Sequence, residues 1–268
     1  MKYDINASVV TDVGCVREIN EDNGRYVRPG DPEVLEKKGV LAIVADGMGG
    51  HSAGEVASKM AVDVISRAYF ENNDDVEEAL TGAITEANRQ IYEASLNDDN
   101  LRGMGTTCTA LVLTNGTVVA AHVGDSRLYL VRNGGIYLMT EDHSAVMEMV
   151  RRGLLSIEEA RTHPDKNVIL RALGTNPEVE IAMWDEPFPV RAGDHFLLCS
   201  DGLYDLVTDD EIKNAVLGND SQTACERLVG LARDRGGYDN ITVGIVHLTE
   251  PVAVPEEARE TREVEAVR

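Results

Sequence analysis

Four aspartates in this 268-residue chain share one local setting. Asp46 ends the apolar run 40–45 and is followed by Gly47, Gly49 and Gly50. Asp125 stands in Gly124-Asp125-Ser126-Arg127, Asp201 follows the run 195–199 in Ser200-Asp201-Gly202, and Asp239 precedes the run 241–248 in Gly237-Tyr238-Asp239-Asn240. Each is a carboxylate at the end or start of an expected strand, beside a glycine or a turn. Strand ends from one or two packed sheets can converge on one edge, so these side chains could meet in space. Gathered without counter-charge they would repel one another, and some would take up protons. Hard divalent cations remove that conflict, and all-oxygen ligation selects Mg²⁺, Mn²⁺ or Ca²⁺ over zinc. Two such ions about 3.5–4 Å apart can share a bridging water, lower its pKa and hold a phosphoryl group for in-line attack. No Ser-His-Asp order or reactive cysteine motif offers a competing nucleophile.

Single pieces of this pattern are ambiguous. The stretch 40–55 by itself is balanced between a site and an ordinary Asp-Gly turn before a helix. Arg17 and Asp22 are five residues apart and could point into one cavity, but a surface ion pair is the plainer reading of the two alone.

The bulk composition narrows the chemistry. With 25 basic against 47 acidic residues the formal charge is −22, which argues against a phosphate-neutralising face for nucleic acid. The same field repels a phosphorylated substrate unless bound cations reverse its sign locally. Cys15, Cys108, Cys199 and Cys225 are far apart and form neither a zinc motif nor a disulfide framework, which points to a reducing cytoplasm. Asp4 interrupts any signal-like apolar segment, and no run approaches the ~20 apolar residues of a membrane helix. One large core, or at most two small domains, fits the length.

The elements that must position the aspartates follow from periodicity. Alternation over residues 3–13 predicts a half-buried strand, and the continuous run 40–45 predicts one buried on both faces. Residues 29–38 read as an exposed loop. Val56, Met60, Ala61, Val64, Ile65 and Ala68 share one helical face, as do Val76, Leu80, Ile84, Ala87, Ile91 and Ala94, with Asn73 or Asp74 as the expected cap of the second helix. The two helices are expected antiparallel on one sheet face. Asn115-Gly116 and Asn133-Gly134 each separate two strand-like runs and predict two hairpins, read together as one antiparallel meander carrying Asp125 at a strand junction. Residues 142–176 are polar, helical in short pieces and rich in arginine (Arg151, Arg152, Arg161 and Arg171). They read as a protruding mobile segment, suited either to substrate contact or to a solvated surface. Strands are expected again near 179–183 and 195–199, helices from 208–210 and over 223–233, and a last strand over 241–248. The composition of 251–268 reads as an acidic disordered tail.

The motifs ADGMGGHSAGE, VGDSR, EDHS, RALG, CSDGLYD and GYDNIT, in this order and spacing, resemble the bacterial branch of the metal-dependent, type 2C (PPM) serine/threonine protein phosphatases. The resemblance spans residues 3 to about 248. It implies an α+β fold, a four-layer α-β-β-α sandwich of two antiparallel sheets between helix pairs, forming one catalytic domain over 1–250 with a flap at about 144–170. It further implies two core Mn²⁺ or Mg²⁺ ions and a weaker third. By position, Asp46 would bridge the core ions, the Gly47 carbonyl would bind one of them, and Asp201 and Asp239 would complete the first ion's shell. Asp22 would hold metal-bound waters, Asp125 with Asp201 would hold the third ion, and Arg17 would grip the substrate phosphate. Ser200 and Asn240 would be supports. Where the eukaryotic branch has a histidine after Asp-Gly, this chain has Met48, and His51 lies three residues later. Hydrolysis of phosphoserine and phosphothreonine on proteins by bridging water, with no phosphoenzyme, is the activity so implied. The partners so implied are phosphoproteins, including a cognate serine/threonine kinase, and the chain is expected to act as a monomer. A partner-switch role against an anti-sigma-factor antagonist, a non-catalytic binding protein and a two-metal nuclease are the alternatives. The last is disfavoured by the lack of basic, aromatic-rich strips.

Overall fold

The computed structural model describes residues 2–49, 53–184 and 186–251. His51 and residues 252–268 of the expected tail lie outside the described residues. Two antiparallel sheets form the centre. One orders β1 (Asp4–Asp12), β12 (Ile241–Thr249), β11 (His195–Cys199), β7 (Arg127–Arg132) and β8 (Gly135–Leu138). The other orders β10 (Phe188–Pro189), β6 (Thr117–Val123), β5 (Cys108–Thr114), β3 (Val40–Met48) and β2 (Asp22–Val27), with β4 (Gly105–Thr106) on β3 and β9 (Ala182–Met183) on β6.

Strand alternation sorts the core into three layers. Along β3, Leu41, Ile43 and Ala45 pack under α2 (Ala53–Glu71) and α3 (Val76–Asn97), with Ile65, Leu80 and Ile84 opposite them. Val40, Ala42 and Val44 face the other sheet, meeting Phe196, Leu198 and Val246. On β11, Leu197 and Cys199 turn outward to a second helical layer, α7 (Asp209–Leu217) and α8 (Ser221–Asp234), through Ile212, Leu228 and Val229. A strand buried on both faces needs apolar residues at successive positions, which is why the run 40–45 has no polar interruption.

Several local expectations are corrected. Residues 32–38, read as loop, form the helix α1, with Pro32 in its first turn and the Asp31 side chain accepting from the Glu33 N–H. The residue that caps α3 is Asp75, which accepts from the Glu78 N–H, and not Asn73 or Asp74. The Gly105–Thr106 strand, the short helix α6 (Asp201–Tyr204) and β2 carried no periodic signal. The two hairpins form with Asn115 at φ 41° and Asn133 at φ 53°, yet they do not make one meander. The first, β5–β6, belongs to one sheet and the second, β7–β8, to the other. Gly124-Asp125-Ser126 is therefore a crossing between sheets, and this sets Asp125 deep in the molecule. The 142–176 segment contains α4 (Ala145–Arg151) and α5 (Ile157–Arg161), capped by Ser144 and Ser156.

Candidate metal centre

The strand ends named by the sequence come together at one edge of the sandwich. Register places Asp22 directly opposite Asp46 on β2 and β3. In the facing sheet Cys199 pairs with both Val243 and Arg127, so Asp201, Asp239 and Asp125 follow or precede neighbouring strands at the same end. Asp46 does not end its strand as expected. The strand continues to Met48, where Gly47 and Met48 pair with Thr106 and Gly105.

Backbone and hydroxyl bonds fix each carboxylate-bearing segment. The Asp46 N–H donates to Thr107 Oγ1 at 2.8 Å, and its carbonyl accepts from the Thr107 N–H at 2.8 Å and from Thr106 Oγ1 at 2.9 Å. Thr107 Oγ1 also lies 2.7 Å from Ser126 Oγ, which ties the Asp46 strand to the Asp125 crossing. Ser200 Oγ donates to Asp22 Oδ2 at 2.7 Å and accepts from the Thr242 N–H at 3.0 Å. Asn240 is a clamp. Its Oδ1 accepts from the Glu21 N–H, its Nδ2 donates to the Val13 and Ile19 carbonyls, and its own N–H donates to Asp239 Oδ1. The loop carrying Arg17 is thereby held against Asp239, and Arg17 Nη2 donates to Asp239 Oδ2 at 2.7 Å. Asp239, and not Asp22, is thus the carboxylate that Arg17 engages.

Gly47 has a steric reason to be glycine. A Cβ there would stand 2.1 Å from the Gly54 carbonyl and 2.5 Å from that of Glu21. The Glu21 carboxylate in turn accepts from the Gly54 N–H at the start of α2. Nothing in the sequence pattern marked Glu21, Thr106, Thr107 or Ser126. Their part depends on long-range pairing, and hydroxyls next to strands have many ordinary uses.

The electrostatics are those of crowded acids. Burial, and then the charges of Asp22, Asp201, Asp125 and Asp239, raises the Asp46 pKa well above the carboxylate range. Asp201 is raised well above that range by burial and then by Asp125 and Asp239. Burial raises Asp125 to about 7, with Asp142 adding to it. It raises Asp22 to about 6 against the lowering hydrogen bond from Ser200. Asp22 Oδ1 is buried with no hydrogen-bond partner. Such an orphan, among acids that disfavour one another's charge, fits a centre completed by hard cations. The donors are all oxygen, as Mn²⁺ and Mg²⁺ require. Among the described residues no three acidic or histidine side chains close on one ion-sized point; the carboxylates are spread over a cleft instead. That cleft continues into a cavity of about 620 Å³ between Asp125, Asp201 and Tyr204 on one side and Val146, Met147, Ile157 and Arg161 of the 144–170 segment on the other.

Comparison with known proteins agrees with this geometry. A sequence model of protein phosphatase 2C matches residues 33–227. The serine/threonine phosphatase Stp of Listeria welshimeri is 41% identical over 248 residues, covering 90% of this chain and 95% of that protein. The crystal structure of the Mycobacterium tuberculosis serine/threonine phosphatase PstP superposes with a TM-score of 0.81 at 36% identity, over 91% of this chain and 99% of that one. A PstP catalytic domain solved with 2 manganese ions gives a TM-score of 0.77 at 34% identity, over 91% and 98%. Coverage this complete, on a chain whose buried acids need divalent cations, leaves one family. The chain belongs to the protein phosphatase 2C (PPM) family of metal-dependent protein serine/threonine phosphatases.

Proposed function

We propose that this chain removes phosphate from phosphoserine and phosphothreonine in proteins by direct attack of water, with no phosphoenzyme, and so opposes a serine/threonine kinase. The observation that carries the reading is the meeting of Asp22, Asp46, Asp125, Asp201 and Asp239 at one edge of the sandwich, where the raised pKa values of Asp22, Asp46, Asp125 and Asp201 reflect acids crowded by burial and by neighbouring charge. Asp46, the Gly47 carbonyl, Asp201 and Asp239 would hold two core ions, Asp22 would orient water about them, and Asp125 with Asp201 would hold a weaker third. When bound, such ions supply the Lewis acidity that makes water a nucleophile near neutral pH. Arg17 is half exposed and braced by Asp239, and its planar fork suits two phosphate oxygens. Ser200 and Asn240 orient Asp22 and Asp239 through the bonds described above. We assign this work to residues 1–250 as a single catalytic domain. We also place it in the cytoplasm, acting as a monomer, in keeping with four unpaired thiols, three of them buried.

The test is turnover of a phosphothreonine peptide. Activity is expected with Mn²⁺, is lost with excess chelator and returns when Mn²⁺ is restored. Asp201→Asn is expected to lower kcat by roughly 10³-fold or more, the scale of losing the activated nucleophile. Robust turnover in excess chelator, or a phosphodiester hydrolysed faster than the peptide, would overturn the proposal.

A further inference from the structure

Behind the Gly124–Asp125 crossing lies a second cavity, of about 340 Å³, that shares no metal-site aspartate with the cleft. Its lining includes the apolar side chains of Met139, Met183, Leu170 and Trp184 together with His143 and Arg171. Proton counting makes this polar pair unusual. The Gly124 N–H, which can only donate, points at His143 Nδ1 at 3.1 Å. Nδ1 therefore carries the lone pair, and the single proton of the neutral ring sits on Nε2. Yet Nε2 lies 3.3 Å from Arg171 Nη1, and a guanidinium nitrogen has only protons to offer. Two donors face each other with no acceptor between them. An oxygen anion placed against both would satisfy both, with charge-assisted bonds.

We propose that this cavity is a ligand site for a small oxyanion with an apolar body, such as an aryl carboxylate or phosphonate. The anionic oxygens meet the Nε2–H of His143 and the Nη1 of Arg171, and the body lies among Met139, Met183 and Trp184. The acids around the cavity do not forbid an anion. Asp142 is paired with Arg127, Glu148 with Arg151 and Arg152, and Glu180 with Arg171 Nη2 at 2.9 Å, while Glu141 is exposed. The volume lies at the small end of the usual range for such sites. Occupancy would reach the metal edge through backbone. The His143 N–H donates to the Gly124 carbonyl at 2.8 Å, one residue before Asp125, and the Leu170 N–H donates to the His143 carbonyl at 2.7 Å at the base of the flap.

The chain contains one tryptophan, and it lines this cavity, so its fluorescence reports on the site. Metal-free full-length protein would be titrated with phenylphosphonate, with benzoate and with uncharged benzyl alcohol. Saturable change with either anion and none with the alcohol is expected, the two anion arms distinguishing phosphonate from carboxylate recognition. Arg171→Gln should weaken binding about ten-fold, the size of one lost charge-assisted hydrogen bond. Glu180→Gln, which frees Arg171 from its competing carboxylate, should tighten it, a gain that misfolding cannot imitate. Arg17→Ala should leave the response intact. No saturable change up to about 10 mM, weaker than any useful affinity, would overturn the proposal. So would a response indifferent to both Arg171→Gln and Glu180→Gln, or one abolished by Arg17→Ala.

Discussion

The aspartate edge and the 144–170 segment look onto the same cleft and are held by opposite means. At the edge, strands bring acids together against their mutual repulsion, and bonds from Thr106, Thr107, Ser200 and Asn240 keep them there. In that segment α4 and α5 are single short helices in which two acids have local partners, Glu148 with Arg151 and Arg152, and Glu159 with its own cap Ser156. One region holds unfavourable electrostatics in a rigid frame, whereas the other carries local ion pairs on a light one. The first arrangement suits binding of cations, which relieve the strain, and the second suits a surface that only needs to cover or orient a substrate.

Neutralising an edge acid gives the sharpest contrast. Asp46→Asn should reduce phosphopeptide turnover by roughly 10³-fold or more. In chelator the same variant should melt higher than wild type by about 2–4 °C, the shift expected for each 1 kcal/mol in a chain of this length. Function and metal-free stability then move in opposite directions at one residue. Scanning calorimetry with and without Mn²⁺ checks this, and a variant that melts lower in chelator would remove the claim that the edge is electrostatically strained.

The pH dependence of stability should also differ in sign between the two regions. Asp22 and Asp125 have folded pKa values of about 6 and about 7, above their ordinary value of 3.8. The folded chain therefore holds protons that the unfolded chain releases, so their contribution is present below about pH 4 and is lost as pH rises through 6 to 7. Glu148 and Glu159 are shifted down, Glu148 by Arg152 first and Glu159 by the Ser156 N–H first. Their contribution is present above the ordinary glutamate value of 4.5 and fades as pH falls below it. Metal-free protein should accordingly be harder to denature by urea at pH 5.5 than at pH 7.5, and saturating Mn²⁺ should flatten or invert that trend. Equal midpoints in chelator would indicate that the acids are not crowded in solution.

The same contrast explains what could be read from the chain. Asp46, Asp125, Asp201 and Asp239 were visible because each interrupts or borders an apolar run beside glycine, a pattern that survives without knowing the fold. The strands β3, β11 and β12 were visible for the same reason, being buried on both faces. Thr107 and Ser126 were not, because their task is set by a contact between residues 19 positions apart that no local period encodes. The false meander has a similar origin. Two Asn-Gly turns specify two hairpins, but whether a third turn continues a sheet or crosses to another depends on which face is already covered. Residues 32–38 misled through composition, since charge and proline also describe a capped first helical turn.

The smallest expected effect belongs to the 144–170 segment. Lys166 reaches across to Asp205, four residues beyond Asp201, and this ion pair fastens the 144–170 segment to the acidic edge. Both side chains are one-third exposed, at 34% each, so solvent screening limits the pair to at most about 1 kcal/mol of stability. Lys166→Ala should therefore leave the melting temperature nearly unchanged. Its effect should appear where the flap meets a polypeptide: a rise of a few-fold in KM for a phosphothreonine peptide, about 0.6–1 kcal/mol at the usual conversion, with little change for p-nitrophenyl phosphate, which is too small to span cleft and flap. A matching loss for both substrates would mean that the tether sets the geometry of the aspartates themselves, and the division between a rigid edge and a lightly held cover would have to be redrawn.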